Sequence, residues 1–234
     1  RALASHYRVV CPDIAGRGVS DWLREPSGYA IPNYVADVVT LLARLDVEMV
    51  DWVGISMGGL IGMALASMAG TPVRRLVLSD VGPEITTESI QRIASYVGTD
   101  PRWASIEQAE AYIRTVSAPF GKLTDAQWLH MTEHCVRQDS DGSWRFRYDP
   151  KIAEPFKASF AGGPIDLWPY YERVTCPTLV VRGAESDLLT RETWQRMGSC
   201  GPRAKLVEIP EVGHAPMFLT DDQIAVARDF LLAS

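Results

Sequence analysis

The stretch that decides the fold is Gly54-Ile55-Ser56-Met57-Gly58. It completes an apolar run over Met49–Ile55 that predicts a buried strand, and it opens a pattern over Met57–Ala69 that predicts a buried helix. A G-x-S-x-G pentapeptide between a strand and a helix predicts a very tight turn with the serine at its tip. Both glycines are expected because side chains at these two positions would collide. The turn therefore predicts that the Ser56 hydroxyl is pushed out into a cleft.

Outward from this turn, short apolar runs alternate with helical patterns. Further strands are predicted over Arg8–Ile14, Val73–Val81, Thr178–Arg182 and Lys205–Ile209, and further helices over Pro32–Leu45, Thr190–Met197 and Asp221–Leu232. Strand–helix–strand units with mostly apolar strands indicate right-handed crossovers and a parallel sheet. The sequence therefore predicts the α/β fold class.

Residues 82–171 interrupt this alternation and contain no convincing buried parallel strand. The best helical patterns there are Thr86–Tyr96, Ile106–Val116 and Asp125–Arg137, and Ala161–Pro164 is expected to break regular structure. We interpret this block as an insertion that covers one end of the sheet. Residues 1–81 and 172–234 then form the core domain.

Composition excludes several classes of protein. The 234 residues are 47% hydrophobic and 22% charged, as in ordinary globular proteins, and the net charge of −6 argues against a nucleic-acid surface. Cys11, Cys135, Cys176 and Cys200 form no CxxC pair, so we expect reduced thiols and a cytoplasmic location. No stretch reaches the roughly 18 apolar residues of a membrane span, so no membrane contact is expected.

A reactive serine requires a base, and the chain has four histidines. His214 lies in a loop directly after the predicted strand Lys205–Ile209. Loops at the carboxyl ends of parallel strands are where catalytic groups gather. His214 is therefore predicted to take the proton of Ser56, and the amide of Met57, at the start of its helix, to stabilise a developing oxyanion.

The third predicted residue is a carboxylate that orients the imidazole. Asp187 is favoured because it follows the strand Thr178–Arg182 and gives the chain order serine, acid, histidine. Two alternatives stay open. Asp80 ends the strand after the nucleophile helix, and Glu185 lies in the same loop as Asp187.

Together these motifs resemble the α/β-hydrolase family, and the resemblance covers nearly the whole chain. Pro12–Asp21 is similar to the loop that follows the strand preceding the family's nucleophile strand, and Gly54–Gly59 is similar to its nucleophile turn. Arg182–Asp187 resembles the acid loop, and Gly213–Pro216 the histidine loop. Residues 82–171 resemble the family's helical cap.

One feature of the family is missing from the sequence. Members carry an upstream strand that ends in His-Gly and supplies a second oxyanion donor, and nothing before Arg8 matches it. The first strands of the family's sheet are also missing. The resemblance therefore implies a fragment or an incomplete gene model. A chain that truly began at Arg1 would be expected to have weak activity and poor stability.

The resemblance implies a serine hydrolase that cleaves carboxylic esters of small or medium acyl substrates through an acyl-enzyme, without a cofactor. A lactonase, a thioesterase, a carbon–carbon bond hydrolase and an acyltransferase are alternatives that would use the same residues. A non-catalytic binding protein on this scaffold is the alternative from another class. Large aromatic residues are expected either to line an acyl pocket or to form the core of the cap: Trp103, Phe120, Trp128 and Trp168.

A second pattern, His130-Met131-Thr132-Glu133-His134, matches the zinc signature H-x-x-E-H. No third ligand in a suitable context is recognisable, and the stretch lies in the expected cap. We therefore interpret it as an exposed helix face and predict no metal site.

Overall fold

The computed structural model describes residues 2–159 and 165–233. The strands are β1 Val50–Ile55, β2 Val73–Ser79, β3 Glu84–Ile85, β4 Val136–Gln138, β5 Trp144–Phe146, β6 Ile165–Asp166, β7 Thr178–Gly183 and β8 Lys205–Ile209. The helices are α1 Ile31–Leu45, α2 Met57–Ala66, α3 Thr87–Ala94, α4 Ile106–Val116, α5 Asp125–Cys135, α6 Ala153–Ser159, α7 Trp168–Tyr171, α8 Arg191–Met197 and α9 Asp221–Leu232. Within these described residues, no helix is both long and apolar enough to cross a bilayer.

A parallel four-stranded sheet in the order β1-β2-β7-β8 organises the molecule. Its register brings the carboxyl ends of the strands together, because Ile55 pairs with Ser79 and Ser79 pairs with Val181. Alternate residues of the strands face opposite sides. Leu76 and Leu78 therefore belong to a core shared with α1 and α2, whereas Val77 faces a second core that includes α9. The α/β fold class predicted from the sequence is confirmed.

The prediction of a strand at Arg8–Ile14 is wrong, because these residues do not pair with any strand. A strand requires a ladder partner, and the apolar residues of this segment include Val9 and Val10, which are 50% and 44% exposed. The other predicted strands correspond to β1, β2, β7 and β8 with small shifts at their ends. The helix expected to run to Ala69 ends at Ala66, before the left-handed Gly70.

Residues 82–171 hold α3 to α7 and two short antiparallel pairs, β3 with β6 and β4 with β5. They contain a hydrophobic cluster of their own, built around Trp103, Ile113, Trp128 and Val136. A segment with its own small core can pack as a unit against the sheet domain. The predicted breaker Ala161–Pro164 lies outside the described residues.

Candidate active site

Ser56 occupies the turn between β1 and α2 in a strained conformation, with φ 49° and ψ −120°. Its amide donates to the carbonyl of Ser79 on the neighbouring strand at 3.0 Å, which anchors the turn to the sheet. Its carbonyl accepts from the amides of Gly59 and Leu60, which begins the helix. The Ser56 hydroxyl makes no capping bond to α2 and is therefore available to another partner.

The two glycines of the turn differ in their surroundings. A Cβ on Gly54 would lie 2.3 Å from the carbonyl oxygen of Gly58, so a side chain cannot fit there without a backbone shift. A Cβ on Gly58 would meet nothing within 4 Å. The expected collision is confirmed at Gly54 and is wrong at Gly58. Gly59, the next residue, is the one in close contact, because its Cβ would lie 2.4 Å from Val81.

His214 lies in the loop between β8 and α9, with Nε2 at 3.0 Å from the hydroxyl oxygen of Ser56. The imidazole is only 8% exposed. Its loop is held on both sides, because the Gly213 amide donates to the Pro119 carbonyl at 2.7 Å and the Ser79 hydroxyl donates to the Pro216 carbonyl at 2.8 Å. The structure thus brings the predicted hydroxyl and base together.

Asp80 is the carboxylate that contacts the imidazole, with Oδ2 at 2.8 Å from Nδ1 of His214. The residue directly follows β2 and is fully buried. Its Oδ1 accepts from the Gly183 amide at 2.9 Å, and its Oδ2 also accepts from the Ser186 hydroxyl at 2.6 Å. A carboxylate acceptor at Nδ1 places the ring proton there, which leaves the Nε2 lone pair free to accept the proton of Ser56.

The prediction of Asp187 for this position is corrected by the geometry. The Asp187 side chain is 50% exposed and forms a bidentate ion pair with Arg92 of α3. Glu185, the alternative acid in the same loop, is exposed, and its backbone amide donates to the Val212 carbonyl. Asp80 was the remaining alternative, and it lies on the buried side of the imidazole where a fixed partner is required.

One feature of the sequence favours Asp80, although the chain order of serine, acid and histidine favours Asp187. Asp80 stands within a run from Leu76 to Val81 that is buried throughout. A carboxylate in such a run needs hydrogen-bond donors around it, because an unpaired buried charge is very costly. The donors from Gly183 and Ser186 come from the loop that was expected to supply the acid itself. Ser186 was not recognised from sequence.

Residues 82–171 contact the loops around this site at several points. Arg92 of α3 pairs with Asp187, and Lys122 pairs with Glu211 at 3.0 Å. Gln127 of α5 donates to the Leu219 carbonyl at 2.6 Å. The segment is therefore tied to the same two loops that surround Asp80 and His214.

The large aromatic residues of this segment are largely core residues. Trp103 and Trp128 lie in the segment's own cluster, and Trp168 packs in the main core. Phe120 lies in a short 3-10 helix next to the Pro119 carbonyl that holds the histidine loop. Packing within the core is thus the interpretation that the structure favours for Trp103, Trp128 and Trp168.

His130, Glu133 and His134 lie together on α5, and each offers one ligand atom within 4.8 Å of the others. All three side chains are exposed, as expected for a solvated helix face. The Nδ1 atom of His134 donates a hydrogen bond to the carbonyl oxygen of His130 at 2.7 Å. None of the three takes part in the hydrogen bonds described for Ser56, His214 and Asp80.

A parallel sheet that carries a hydroxyl, an imidazole and a buried carboxylate at its carboxyl edge is the arrangement of an α/β hydrolase. Comparison with protein-family models agrees with this class. The alpha/beta hydrolase fold model matches residues 1–221, and the chain belongs to this family.

Three relatives illustrate the match. A 3-hydroxybutyrate-oligomer hydrolase of Cupriavidus necator is 49% identical over 98% of this chain and 80% of its own length. A 2-(acetamidomethylene)succinate hydrolase of Mesorhizobium japonicum is 27% identical over 91% of this chain and 73% of its own length. The crystal structure of an alpha/beta hydrolase from Novosphingobium aromaticivorans is 36% identical, covers 94% of this chain and 78% of that one, and has a TM-score of 0.85. The chain is therefore a hydrolase.

Proposed function

We propose that this chain is a serine hydrolase in which Ser56 is the nucleophile, His214 the general base and Asp80 the residue that orients the imidazole. The observation that carries the proposal is a pair of hydrogen bonds to the two ring nitrogens of His214. Asp80 contacts Nδ1, and the Ser56 hydroxyl contacts Nε2. Asp80 replaces Asp187 in this assignment. The Met57 amide, in the first turn of α2, is proposed as an oxyanion donor, since such N–H groups lack an intrahelical partner.

The proposed reaction has two steps. Ser56 Oγ attacks the ester carbonyl while Nε2 of His214 takes its proton, and the same proton then passes to the leaving alcohol. His214 next removes a proton from water, whose oxygen attacks the acyl carbonyl. The bond from the acyl carbon to Ser56 Oγ then breaks, Oγ takes the proton back from His214, and the acid is released. Asp80 stays ionised and stabilises the imidazolium in both steps, helped by its donors Gly183 and Ser186.

The proposed substrates are carboxylic esters, with short ester oligomers of a hydroxy acid as the specific class. The support is the relative from Cupriavidus necator, named a 3-hydroxybutyrate-oligomer hydrolase, which matches 98% of this chain at 49% identity. Such an oligomer contains an ester carbonyl that Ser56 can attack and a secondary alcohol that leaves with the proton from His214.

Residues 82–171 are proposed to act as a cap over the site. Their support is the set of contacts to the loops around Asp80 and His214, together with their separate hydrophobic cluster. A cap of this kind excludes water from the reacting ester and shapes the acyl pocket.

The test is hydrolysis of 3-hydroxybutyrate dimer and trimer by the purified protein, with the released monomer measured by chromatography. We expect monomer release, a loss of at least about 10⁴-fold in Ser56→Ala, and full activity in Ser95→Ala, a control serine that is exposed on the surface. Persistent hydrolysis in Ser56→Ala would reject the mechanism. Hydrolysis of p-nitrophenyl acetate without hydrolysis of the oligomers would reject the substrate and retain the mechanism.

A further inference from the structure

Arg17 is a half-buried guanidinium beside the nucleophile turn. Its Nη1 donates to the hydroxyl of Tyr34 at 3.0 Å, its Nη2 lies 3.6 Å from Sδ of Met57, and its Cζ lies 5.7 Å from the centre of the Tyr34 ring. These partners are neutral. Across residues 2–159 and 165–233, no carboxylate lies within ion-pair distance of this guanidinium.

Two arginines with little exposed side chain have an acid partner. Arg182, 6% exposed, pairs with Glu208 at 2.7 Å, and Arg145, 11% exposed, pairs with Asp100 at 2.8 Å. A charge withdrawn from water is costly unless an opposite charge compensates it.

Arg75 and Arg147, which are half-buried like Arg17, have none, but each donates to a backbone carbonyl, that of Ala233 and that of Val136 respectively. Arg17 differs from all four, because its donors meet a hydroxyl and a thioether and neither a carboxylate nor a carbonyl, which leaves the guanidinium able to take an anionic ligand.

The guanidinium is also held in place before any ligand arrives. The loop that carries Arg17 is fixed on both sides, because the Asp149 amide donates to the Gly16 carbonyl at 2.9 Å and the Gly18 amide donates to the Arg147 carbonyl at 2.7 Å. Tyr34, which holds the far end of the side chain, is buried in the main core. A preorganised guanidinium binds an anion without first losing side-chain freedom.

We propose that Arg17 forms a carboxylate-binding subsite that recognises the free acid end of the substrate. Its Nη2 contacts the side-chain sulfur of Met57, the residue whose amide is the proposed oxyanion donor, so the guanidinium lies beside the nucleophile turn. In a chain with a net charge of −6, a local cation favours the approach of an acidic substrate. The planar fork of arginine fits a carboxylate with two parallel hydrogen bonds.

This inference rests on the proposed ester hydrolysis and narrows its substrates to esters that carry a carboxylate. Its test compares two substrates that differ in one charge, the 3-hydroxybutyrate dimer and the methyl ester of the same dimer. For Arg17→Gln we expect the ratio of kcat/KM, free acid over methyl ester, to fall about 10- to 100-fold, mainly through KM. Arg17→Lys keeps the charge without the fork and should give an intermediate ratio.

The matched control is Arg228→Gln, since Arg228 lies on α9 beside Asp229 and should leave the ratio unchanged. An equal fall on both substrates in Arg17→Gln would assign Arg17 a structural role and overturn the subsite. An unchanged ratio would overturn it as well. Thermal unfolding of both Arg17 variants shows whether the fold is retained.

A second measurement does not depend on the dimer being a substrate. The assay measures how strongly 3-hydroxybutyrate and, separately, its uncharged amide inhibit the hydrolysis of p-nitrophenyl acetate. The subsite predicts that the wild type binds the anion at least about 10-fold more tightly than the amide and that Arg17→Gln loses this preference. Equal inhibition of the wild type by the two compounds would reject the subsite even if the hydroxy-acid oligomers proved not to be substrates.

Discussion

Replacing Asp80 by asparagine removes the charge behind His214 with almost no change in shape. The carboxylate now receives three donors, the Gly183 amide on Oδ1 and both the Ser186 hydroxyl and Nδ1 of His214 on Oδ2. An amide supplies one acceptor oxygen and one NH₂ donor. If the amide oxygen at position 80 accepts from Gly183, the NH₂ group faces Nδ1 of His214. The ring proton of His214 must then move to Nε2, and Nε2 can no longer accept the proton of Ser56.

The opposite amide orientation sets the NH₂ against the Gly183 amide, two donors face to face in a fully buried position. Either orientation is unfavourable, so we expect kcat to fall about 10⁴-fold, which corresponds to about 5 kcal/mol of transition-state stabilisation. The matched control is Asp187→Asn. Its side chain is half exposed, and it pairs with Arg92, a kind of interaction that contributes about 0–1 kcal/mol. We expect its kcat/KM to stay within about three-fold of the wild type.

The assay is steady-state hydrolysis of p-nitrophenyl acetate, with circular dichroism and thermal unfolding to show that both variants fold. A loss of about 10³-fold or more in Asp187→Asn, with near-normal rates in Asp80→Asn, would refute the assignment and favour the acid that chain order suggested. Similar losses in both variants would also count against a role specific to Asp80.

Two further predictions concern stability. Gly54→Ala should destabilise the fold by about 1–3 kcal/mol, because its Cβ meets the Gly58 carbonyl at 2.3 Å, whereas Gly58→Ala has open space and should leave Tm nearly unchanged; equal losses of Tm would contradict this. Burial of Asp51 raises its pKa, but hydrogen bonds from Arg74 and Tyr7 outweigh burial and hold that pKa below its ordinary value. Asp51→Asn should therefore lower the free energy of unfolding by about 1 kcal/mol at pH 7. Because a depressed pKa stabilises the fold above the unfolded-state value of about 4 and the effect is lost as pH falls through the folded-state value, the difference should narrow in acid. If the difference in free energy of unfolding between the wild type and Asp51→Asn stays constant from pH 7 to pH 3, the lowered pKa of Asp51 is contradicted.

Local sequence patterns were sufficient to predict that the Ser56 hydroxyl and the His214 imidazole lie together. The nucleophile turn is encoded within five residues, and the histidine lies in the loop after the last strand of the sheet. The carboxylate beside the imidazole was harder to predict, because Asp80 and Asp187 both follow strands whose carboxyl ends meet at one edge of the sheet. Which of the two faces the imidazole depends on the depth of burial and on donors from the β7 loop, neither of which is set by chain order.

At Arg8–Ile14, too, the structure depends on tertiary contacts that the local sequence does not determine. Its composition is typical of a strand, but a strand also requires a neighbour, and the edge of the sheet formed by β1 does not pair with this segment. Within residues 82–171, α4 has the predicted bounds and α5 begins at the predicted residue. The prediction that α5 runs to Arg137 is wrong, because the helix ends at Cys135 and β4 begins at Val136. The small antiparallel pairs were not predicted, because strands of two or three residues leave no periodic pattern.

The reactivity of the Ser56 hydroxyl is the claim on which the whole account depends, and covalent labelling tests it most directly. The protein is treated with a fluorophosphonate, digested and mapped by mass spectrometry, in parallel with Ser56→Ala and His214→Gln. We expect one phosphonylated residue, Ser56, with no labelling of the alanine variant and labelling slowed at least about 10³-fold in His214→Gln. An adduct on a different residue, or ester hydrolysis by a protein whose Ser56 stays unlabelled, would contradict it.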